Sequence, residues 1–191
     1  RLLDAVGAWS ERLPPDASRD AALTALGQPG TTAVVTGQQV GAFLGPLYTV
    51  YKAATAIRLA GQVAADTGKP CVPVFWLQTE DHDFPEIATA YGLDADGALT
   101  PARLADVLGP QGARVPVGRR WLGPSATEAL DTLQNALGHE PHAAETFQWL
   151  RASYDPVQGL ADAFAVALAQ LFEGHGLIIL DPSDPALAPL A

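Results

Sequence analysis

Two stretches of the sequence combine residue types that can carry out chemistry. One is the acidic run Glu80-Asp81-His82-Asp83, in which a histidine is flanked by carboxylates. Histidine changes its charge near neutral pH, and a neighbouring carboxylate can orient its ring. We therefore predict that His82 transfers protons as a general acid or base, assisted by Asp81 or Asp83, and that Glu80 binds substrate.

The second stretch is the loop Gly37–Gly45, which follows an apolar run and precedes a helical pattern. The order strand, loop and helix presents free backbone amides and the positive end of a helix dipole to an anion. Gln38 and Gln39 add donors and acceptors, and Lys52 lies about two turns into the helix. We predict an anion-binding loop. A tight turn with a solvated lysine is the alternative, because the glycine spacing matches neither the dinucleotide nor the Walker A motif.

The acidic run allows two further interpretations. A metal site would combine His82 with Asp81, Asp83 or Glu86, whereas a structural run would cap the next helix with Asp81 or Asp83. Neighbouring residues on an extended chain point to opposite sides, so at most alternate members converge on one ligand. We therefore favour proton transfer or substrate binding, and we predict no bound metal.

Both stretches require a scaffold that positions them. The patterns predict a strand at Thr31–Thr36, a helix at Leu47–Asp66 and a buried parallel strand at Cys71–Leu77, which together form a βαβ unit. A further strand, Leu177–Leu180, ends at Asp181. Ligands of open α/β sheets bind outside the carboxyl ends of the strands, so Asp181 is a further candidate for binding a polar ligand group. The predicted fold class is α/β, with an open, mostly parallel Rossmann-type sheet flanked by helices.

The remaining patterns predict additional elements. Helices are expected over residues 1–13, Ser18–Leu26, Pro101–Leu108, Ser125–Leu137, Ala143–Tyr154 and Pro156–Gly174, and extended segments over Ile87–Leu93 and Val115–Val117. Ser125 with Glu128 predicts a capping box. Phe75 and Trp76 are expected in the core. Arg119-Arg120 is expected at the surface, with contact to an anionic substrate as the alternative.

Composition narrows the classes of function. The chain has 191 residues, 48% of them hydrophobic, and a formal net charge of -10. This acidity argues against nucleic acid and against an anionic membrane surface as partners. The one cysteine excludes an internal disulfide framework and makes a cytoplasmic location the default. We expect a single Rossmann-like domain over residues 1–191, taken from a longer protein because both ends look cut.

The two stretches together resemble a known family. The sequence TGQQVGAFLGPLYTVYKAATAIRLA followed by PVFWLQTEDHDFPEI is similar to the bacillithiol biosynthesis cysteine-adding enzymes, also described as cysteine ligases. The segments T-G-Q-Q, G-P-L-Y-x-x-Y-K and F-W-x-x-x-E-D-H-D occur in the family's order and with similar spacing. GLIILDPSDPAL resembles a further family segment, so the likeness extends over most of the chain from Thr31 onward.

This resemblance implies a Rossmann-type core related to nucleotidylyltransferases and class I synthetases. It also implies addition of cysteine to glucosaminyl malate, the last step of bacillithiol synthesis. In the full-length protein it implies a helical coiled coil that aids formation of a homodimer, and this coiled coil and the C-terminal part have no room in the present chain. The implied site consists of Thr36, Gly37, Gln38, Gln39, Gly45, Tyr48 and Lys52, with Glu80, Asp81, His82 and Asp83.

Two alternative functions stay open at this point. A nucleotidylyltransferase-like enzyme would use the same core, although the H-x-G-H and K-M-S-K-S type signatures of the related adenylating enzymes are absent. A non-catalytic module that binds a nucleotide or sugar ligand would use the same loops without needing His82. The cofactor is open as well: ATP or another nucleotide is compatible with the sequence, and no residue identifies it.

Overall fold

The structure is a computed structural model that describes residues 1–109 and 114–190. Its helices are α1 (Leu2–Ser10), α2 (Ala17–Leu26), α3 (Tyr48–Thr67), α4 (Phe84–Ile87), α5 (Ser125–Leu137), α6 (Ala143–Ser153) and α7 (Leu160–Leu171). Its strands are β1 (Thr32–Gln39), β2 (Cys71–Gln78), β3 (Thr89–Leu93), β4 (Leu99–Arg103) and β5 (Ile178–Leu180). The chain forms two compact units: unit 1 is Arg1–Gln38, Leu47–Gln78 and Leu168–Ala191, and unit 2 is Gln39–Pro46 and Thr79–Ala167.

Unit 1 contains a parallel sheet of three strands in the order β1-β2-β5. In the pairing of β2 with β5, Val74 lies opposite Ile178 and Trp76 opposite Leu180. The long helix α3 connects β1 to β2 and packs against β2. The buried residues of α3 are small, Thr49, Ala53, Ala56 and Ala60, and small side chains let a helix approach a sheet closely.

Unit 2 is built on the antiparallel hairpin of β3 and β4, in which Thr89 pairs with Arg103 and Leu93 with Leu99. Helix α5 packs against both strands, and α6 packs against α5. Gly92 permits this packing, because a Cβ at this position would lie only 3.1 Å from Leu137 Cδ1. The unit's core includes fully buried leucines at positions 122, 130 and 160.

The predicted fold class is confirmed. The βαβ unit lies where the sequence patterns put it, although β1 continues to Gln39 and β2 to Gln78. The prediction of one domain over residues 1–191 stays a prediction. Within residues 1–109 and 114–190, no helix is both long enough and apolar enough to cross a membrane.

Several local predictions are wrong, because contacts between distant segments override local preferences. The expected helix Pro101–Leu108 is replaced by β4, which pairs with β3. The expected strand Val115–Val117 is replaced by a short 3₁₀ turn, Val117–Arg119. The predicted capping box does not form, since the Ser125 hydroxyl accepts a hydrogen bond from the Ala105 amide, 2.9 Å away.

Two predictions of burial are also wrong. Trp76 is 38% exposed rather than part of the core, whereas its neighbour Phe75 is fully buried as expected. Arg120 is buried rather than at the surface. Its guanidinium Nη1 lies 2.6 Å from Asp106 Oδ1, and the group stacks over the ring of Phe84 at 4.7 Å. This ion pair and the ring contact explain how an arginine is accommodated inside unit 2.

Candidate functional site

In unit 1, three predicted site residues lie together, and we call Gln38, Tyr48 and Lys52 the lysine cluster. Lys52 Nζ donates to the carbonyl oxygen of Gly37 at 3.2 Å and to Gln38 Oε1 at 2.8 Å. The same ammonium lies 5.1 Å from the centre of the Tyr48 ring, a cation–π arrangement. Gln38 Nε2 is 3.4 Å from the Tyr48 hydroxyl. Lys52 therefore points back along α3 towards the end of β1.

Gly37 is fixed by the sheet of unit 1. A Cβ added at this position would lie 2.6 Å from the carbonyl oxygen of Trp76 on β2, closer than real Cβ contacts come. Only glycine therefore fits at this point of the pairing between β1 and β2. The carbonyl of Gly37 accepts the hydrogen bond from Lys52, and Thr36 precedes it as a half-buried strand residue.

In unit 2, the second glutamine of the loop has different partners. Gln39 Nε2 donates to Asp81 Oδ2 in a short hydrogen bond and to Glu86 Oε2 at 3.1 Å. We call Gln39, Asp81 and Glu86 the carboxylate cluster. One amide nitrogen thus bridges two carboxylates, and both of its hydrogens are used.

Asp81 accepts three hydrogen bonds through its two carboxylate oxygens. Its Oδ1 accepts from the backbone amides of His82 at 2.6 Å and Asp83 at 3.1 Å, while Oδ2 accepts from Gln39. The hydrogen bond from the Gln39 side chain is the main reason that the pKa of Asp81 lies below its ordinary value, and the backbone amides of Asp83 and His82 add to it. Asp81 is therefore ionised at neutral pH and acts as an acceptor, not as a proton donor.

The other members of the acidic run have separate environments. Asp83 is the N-cap of α4, and its Oδ1 accepts from the Glu86 amide at 3.3 Å. The alternative of a capping role is therefore confirmed for Asp83, and its role in a site stays a prediction. Glu80 and His82 are exposed. Asp81 contacts the backbone of His82 but is not seen to orient its ring.

The backbone of the acidic run is held by a neighbouring segment of unit 2. The Val117 amide donates to the Asp81 carbonyl at 2.6 Å, and the Gly118 amide donates to the Thr79 carbonyl at 3.0 Å. Gly118 permits this contact, since a Cβ there would lie 2.6 Å from Thr79 Cβ. The backbone of the acidic run is thus held by hydrogen bonds, although the side chains of Glu80, His82 and Asp83 are exposed to solvent.

The turn that follows Gln38 and Gln39 and precedes α3 is held by contacts within unit 2. Gly45 has φ 64° and ψ −151°, a conformation that is essentially restricted to glycine. The hydroxyl of the buried Tyr154 accepts from the Leu44 amide at 2.9 Å and lies 3.3 Å from the Gly41 carbonyl. The side chain of Tyr154 therefore contacts the backbone of this turn at two points.

Asp181 follows β5 as predicted, and it is buried. Its Oδ1 accepts from the amide and the hydroxyl of Ser183, at 2.9 and 2.7 Å. This oxygen shapes the turn after β5, and its role towards a ligand stays a prediction.

The expectation that the loop and the acidic run serve one site stays a prediction as well. In the part of the chain that the structure describes, no group of three or more His, Cys, Asp or Glu is arranged to hold a metal ion.

The sequence patterns gave no sign of Tyr154, placed Arg120 at the surface and indicated Glu86 only as a metal ligand. The proximity of Glu86 to the acidic run was predictable, because Glu86 lies about one helical turn after Asp83, the predicted cap. Tyr154 had no local signal, since its hydroxyl contacts backbone that is 110 positions away in the chain.

Comparison with known proteins agrees with this architecture. Residues 1–191 match the family model described as "Bacillithiol biosynthesis BshC, N-terminal Rossmann-like domain". Similar proteins named "Putative cysteine ligase BshC" include those of Salinibacter ruber and Heliobacterium modesticaldum. The first is 39% identical over 99% of this chain and 34% of the relative, and the second 38% identical over 82% and 28%.

A third protein of that name, from Geobacillus thermodenitrificans, is 31% identical over 99% of this chain and 34% of the relative. The chain thus spans about a third of the length of the curated relatives it matches. The family match covers the sheet, the loop and the acidic run alike. We conclude that the chain belongs to the BshC family of bacillithiol biosynthesis and corresponds to its N-terminal Rossmann-like domain.

Proposed function

We propose that the intact protein is a ligase that adds cysteine to the amino sugar of glucosaminyl malate in bacillithiol biosynthesis. The observation that carries this proposal is the family match over residues 1–191, together with relatives named as cysteine ligases. In the reaction the sugar amine attacks the activated carboxyl carbon of cysteine. A C–N bond forms, the bond to the leaving group breaks, and the nitrogen loses a proton.

The acidic run supplies the groups that this proton transfer needs. His82 is exposed, so its ring can meet a ligand, and it follows a carboxylate that is ionised at neutral pH. We assign His82 as the base that accepts the proton of the attacking amine. Asp81 fixes the backbone on which His82 sits, because its Oδ1 accepts a hydrogen bond from the His82 amide.

The lysine cluster is the better candidate for an anionic substrate group. Lys52 uses two of its three N–H donors on Gly37 and Gln38, which orients the ammonium and leaves one donor. Gln39, by contrast, has both amide hydrogens on carboxylates, which repel an anion. We therefore assign the anion to Lys52 and Gln38, and we assign Gln39 to holding Asp81.

The test is amide formation by the intact protein with cysteine, glucosaminyl malate and ATP, followed by mass spectrometry of the product. We expect His82→Ala to lower kcat by about 100-fold or more, as for loss of a general base. His139→Ala is the matched control, because His139 is also an exposed histidine of unit 2, and it should keep wild-type kcat. Wild-type kcat in His82→Ala would show that His82 is not the base.

The same assay separates the alternatives through the fate of ATP. Release of pyrophosphate without free AMP or amide product, with the nucleotidyl group retained on the acceptor, would indicate a nucleotidylyltransferase. Amide formation with AMP and pyrophosphate would indicate a ligase that activates the carboxylate by nucleotidyl transfer, and amide formation with ADP and phosphate would indicate activation by phosphoryl transfer. A wild-type protein that binds nucleotide or sugar without any turnover would instead be a binding module.

The proposal extends to location and assembly. A chain with a single cysteine suits a reducing cytoplasm. The family resemblance further suggests a homodimer of the intact protein, which light scattering after size-exclusion chromatography would measure directly.

A further inference from the structure

The turn that follows Gln39 contains an unusual backbone. Phe43 has φ 52° and ψ 49°, and Leu44 has φ 70°, so two consecutive residues with bulky side chains lie in the left-handed region. A Cβ disfavours this region, and such residues persist only where their surroundings hold them. Something in unit 2 must therefore stabilise the turn.

Tyr154, which directly follows α6, makes the contacts that hold it. Its hydroxyl accepts from the Leu44 amide at 2.9 Å and donates to the Gly41 carbonyl at 3.3 Å. Its ring meets the ring of Phe43 edge to face, with centres 5.0 Å apart. Burial raises the pKa of the Tyr154 hydroxyl, which therefore keeps its proton and remains a donor. One side chain thus bonds to the backbone on both sides of Phe43.

The hydroxyl is not required for packing. Tyr154 is 1% exposed, and a phenylalanine would fill nearly the same space without bringing a polar atom into the interior. Both hydrogen bonds of the hydroxyl go to the backbone of this one turn. This arrangement indicates that the hydroxyl sets the path of the turn.

The turn is joined to the carboxylate cluster by covalent structure. Gln39 is separated from Gly41 by a single buried residue, Val40. A change in the path of the turn therefore moves the backbone of Gln39, and with it the amide that bridges Asp81 and Glu86.

We propose that Tyr154 is a positioning residue for the reaction: through the turn Gly41–Gly45 it keeps the Gln39 amide on Asp81 and Glu86. This inference rests on the proposed function, because it concerns residues assigned to the acidic run's chemistry. It assigns no contact between Tyr154 and a substrate.

The experiment compares Tyr154→Phe with Phe147→Leu in the intact protein. Phe147 is buried on α6, about two turns before Tyr154, so its change loosens the same region without altering the bonds to the turn. Hydrogen exchange measured by mass spectrometry follows a peptide that covers residues 40–46. Cysteine addition is measured in parallel as kcat and KM, together with the Tm of each variant.

We expect Tyr154→Phe to speed exchange in this peptide at least tenfold and to lower kcat about tenfold with KM nearly unchanged. Phe147→Leu should lower Tm to a similar degree but leave both the exchange rate of this peptide and kcat unchanged. Gly45→Ala provides a second approach, since it disturbs the turn from its other end while Tyr154 stays intact, and it should reproduce the loss of kcat.

If the peptide exchanges at the wild-type rate in Tyr154→Phe, the inference is overturned. It is also overturned if exchange is faster in Tyr154→Phe but its kcat and KM equal those of Phe147→Leu. If Tyr154→Phe does not fold, the kcat of Gly45→Ala decides: a wild-type value overturns the inference. Absence of turnover in the wild type would refute the proposed function, whereas the exchange comparison would still show whether Tyr154 holds the turn.

Discussion

Replacing Gln39 by methionine tests the carboxylate cluster directly. Methionine has nearly the same length as glutamine but no N–H group, so the substitution removes the donor to Asp81 and Glu86 without opening a cavity. Two carboxylates that share one donor would then face each other without it. The Asp81 bonds from the His82 and Asp83 amides would remain.

The magnitude follows from the two hydrogen bonds that are lost. A hydrogen bond to a charged group contributes about 1.5–3 kcal/mol when it is shielded from water. Asp81 is only half-buried and Glu86 is exposed, so water replaces much of this contribution. We expect a loss of about 1–2 kcal/mol in the free energy of unfolding, and a pKa of Asp81 that rises from its lowered value because the main cause of the lowering is gone.

The assays are urea unfolding at pH 7 and an NMR titration of the Asp81 carboxyl carbon in both proteins. Gln62→Met is the matched control, since Gln62 is exposed on α3, and it should change neither quantity. If Asp81 titrates identically in wild type and Gln39→Met, the Gln39 hydrogen bond does not hold Asp81 in its ionised form, and the assignment of this cluster fails.

Three further predictions follow from contacts described above. Gly37→Ala should destabilise the protein by about 1–3 kcal/mol, because the new Cβ clashes with the Trp76 carbonyl. Gly61→Ala on α3 should instead stabilise it by about 0.5–1 kcal/mol, because a Cβ there has nothing within 4 Å. Urea unfolding of both variants measures the difference. Arg120→Met should cost about 2–4 kcal/mol by the same measurement, because it leaves Asp106 partly buried without its partner; a cost below about 1 kcal/mol would contradict the role of the pair. Because the pKa of Asp81 is lowered on folding, the contribution of Asp81 to stability is complete above the ordinary pKa of 3.8 and disappears as pH falls through the lowered pKa. The difference in unfolding free energy between wild type and Asp81→Asn should therefore be constant from about pH 7 to about pH 5 and shrink below about pH 4.

The sheet of unit 1 was predictable because its signals are local. An apolar run, a glycine loop with proline at its end, and a helix with regular apolar spacing specify β1, α3 and β2 without reference to any other segment. The proximity of the three residues of the lysine cluster was predictable for the same reason. Lys52 lies about one turn after Tyr48 on one helix face, and both follow Gln38 closely in the chain.

The wrong predictions concern residues whose conformation or hydrogen bonds depend on a segment elsewhere in the sequence. Pro101 opens a plausible helix, yet pairing with Tyr91 across the hairpin makes it part of a strand. Ser125 has the right spacing for a cap, yet its hydroxyl serves the Ala105 amide. Tyr154 is 110 positions from Leu44 in the sequence, and no local pattern could have joined them. The single sequence shows which residues are suited to chemistry, but it does not show which contacts orient them.

The pairing of β2 with β5 has a consequence for synthesis of the chain. Val74 and Ile178 are neighbours in the sheet, but about 100 residues separate them, so β2 lacks this partner until the later strand emerges from the ribosome. At about 5–20 residues per second, this interval lasts roughly 5–20 s. During that time an apolar strand edge with Val74 and Phe75 is open to other chains. Nascent chains that stop before Ile178 should therefore aggregate, and slower initiation or chaperone binding should raise the yield of folded protein.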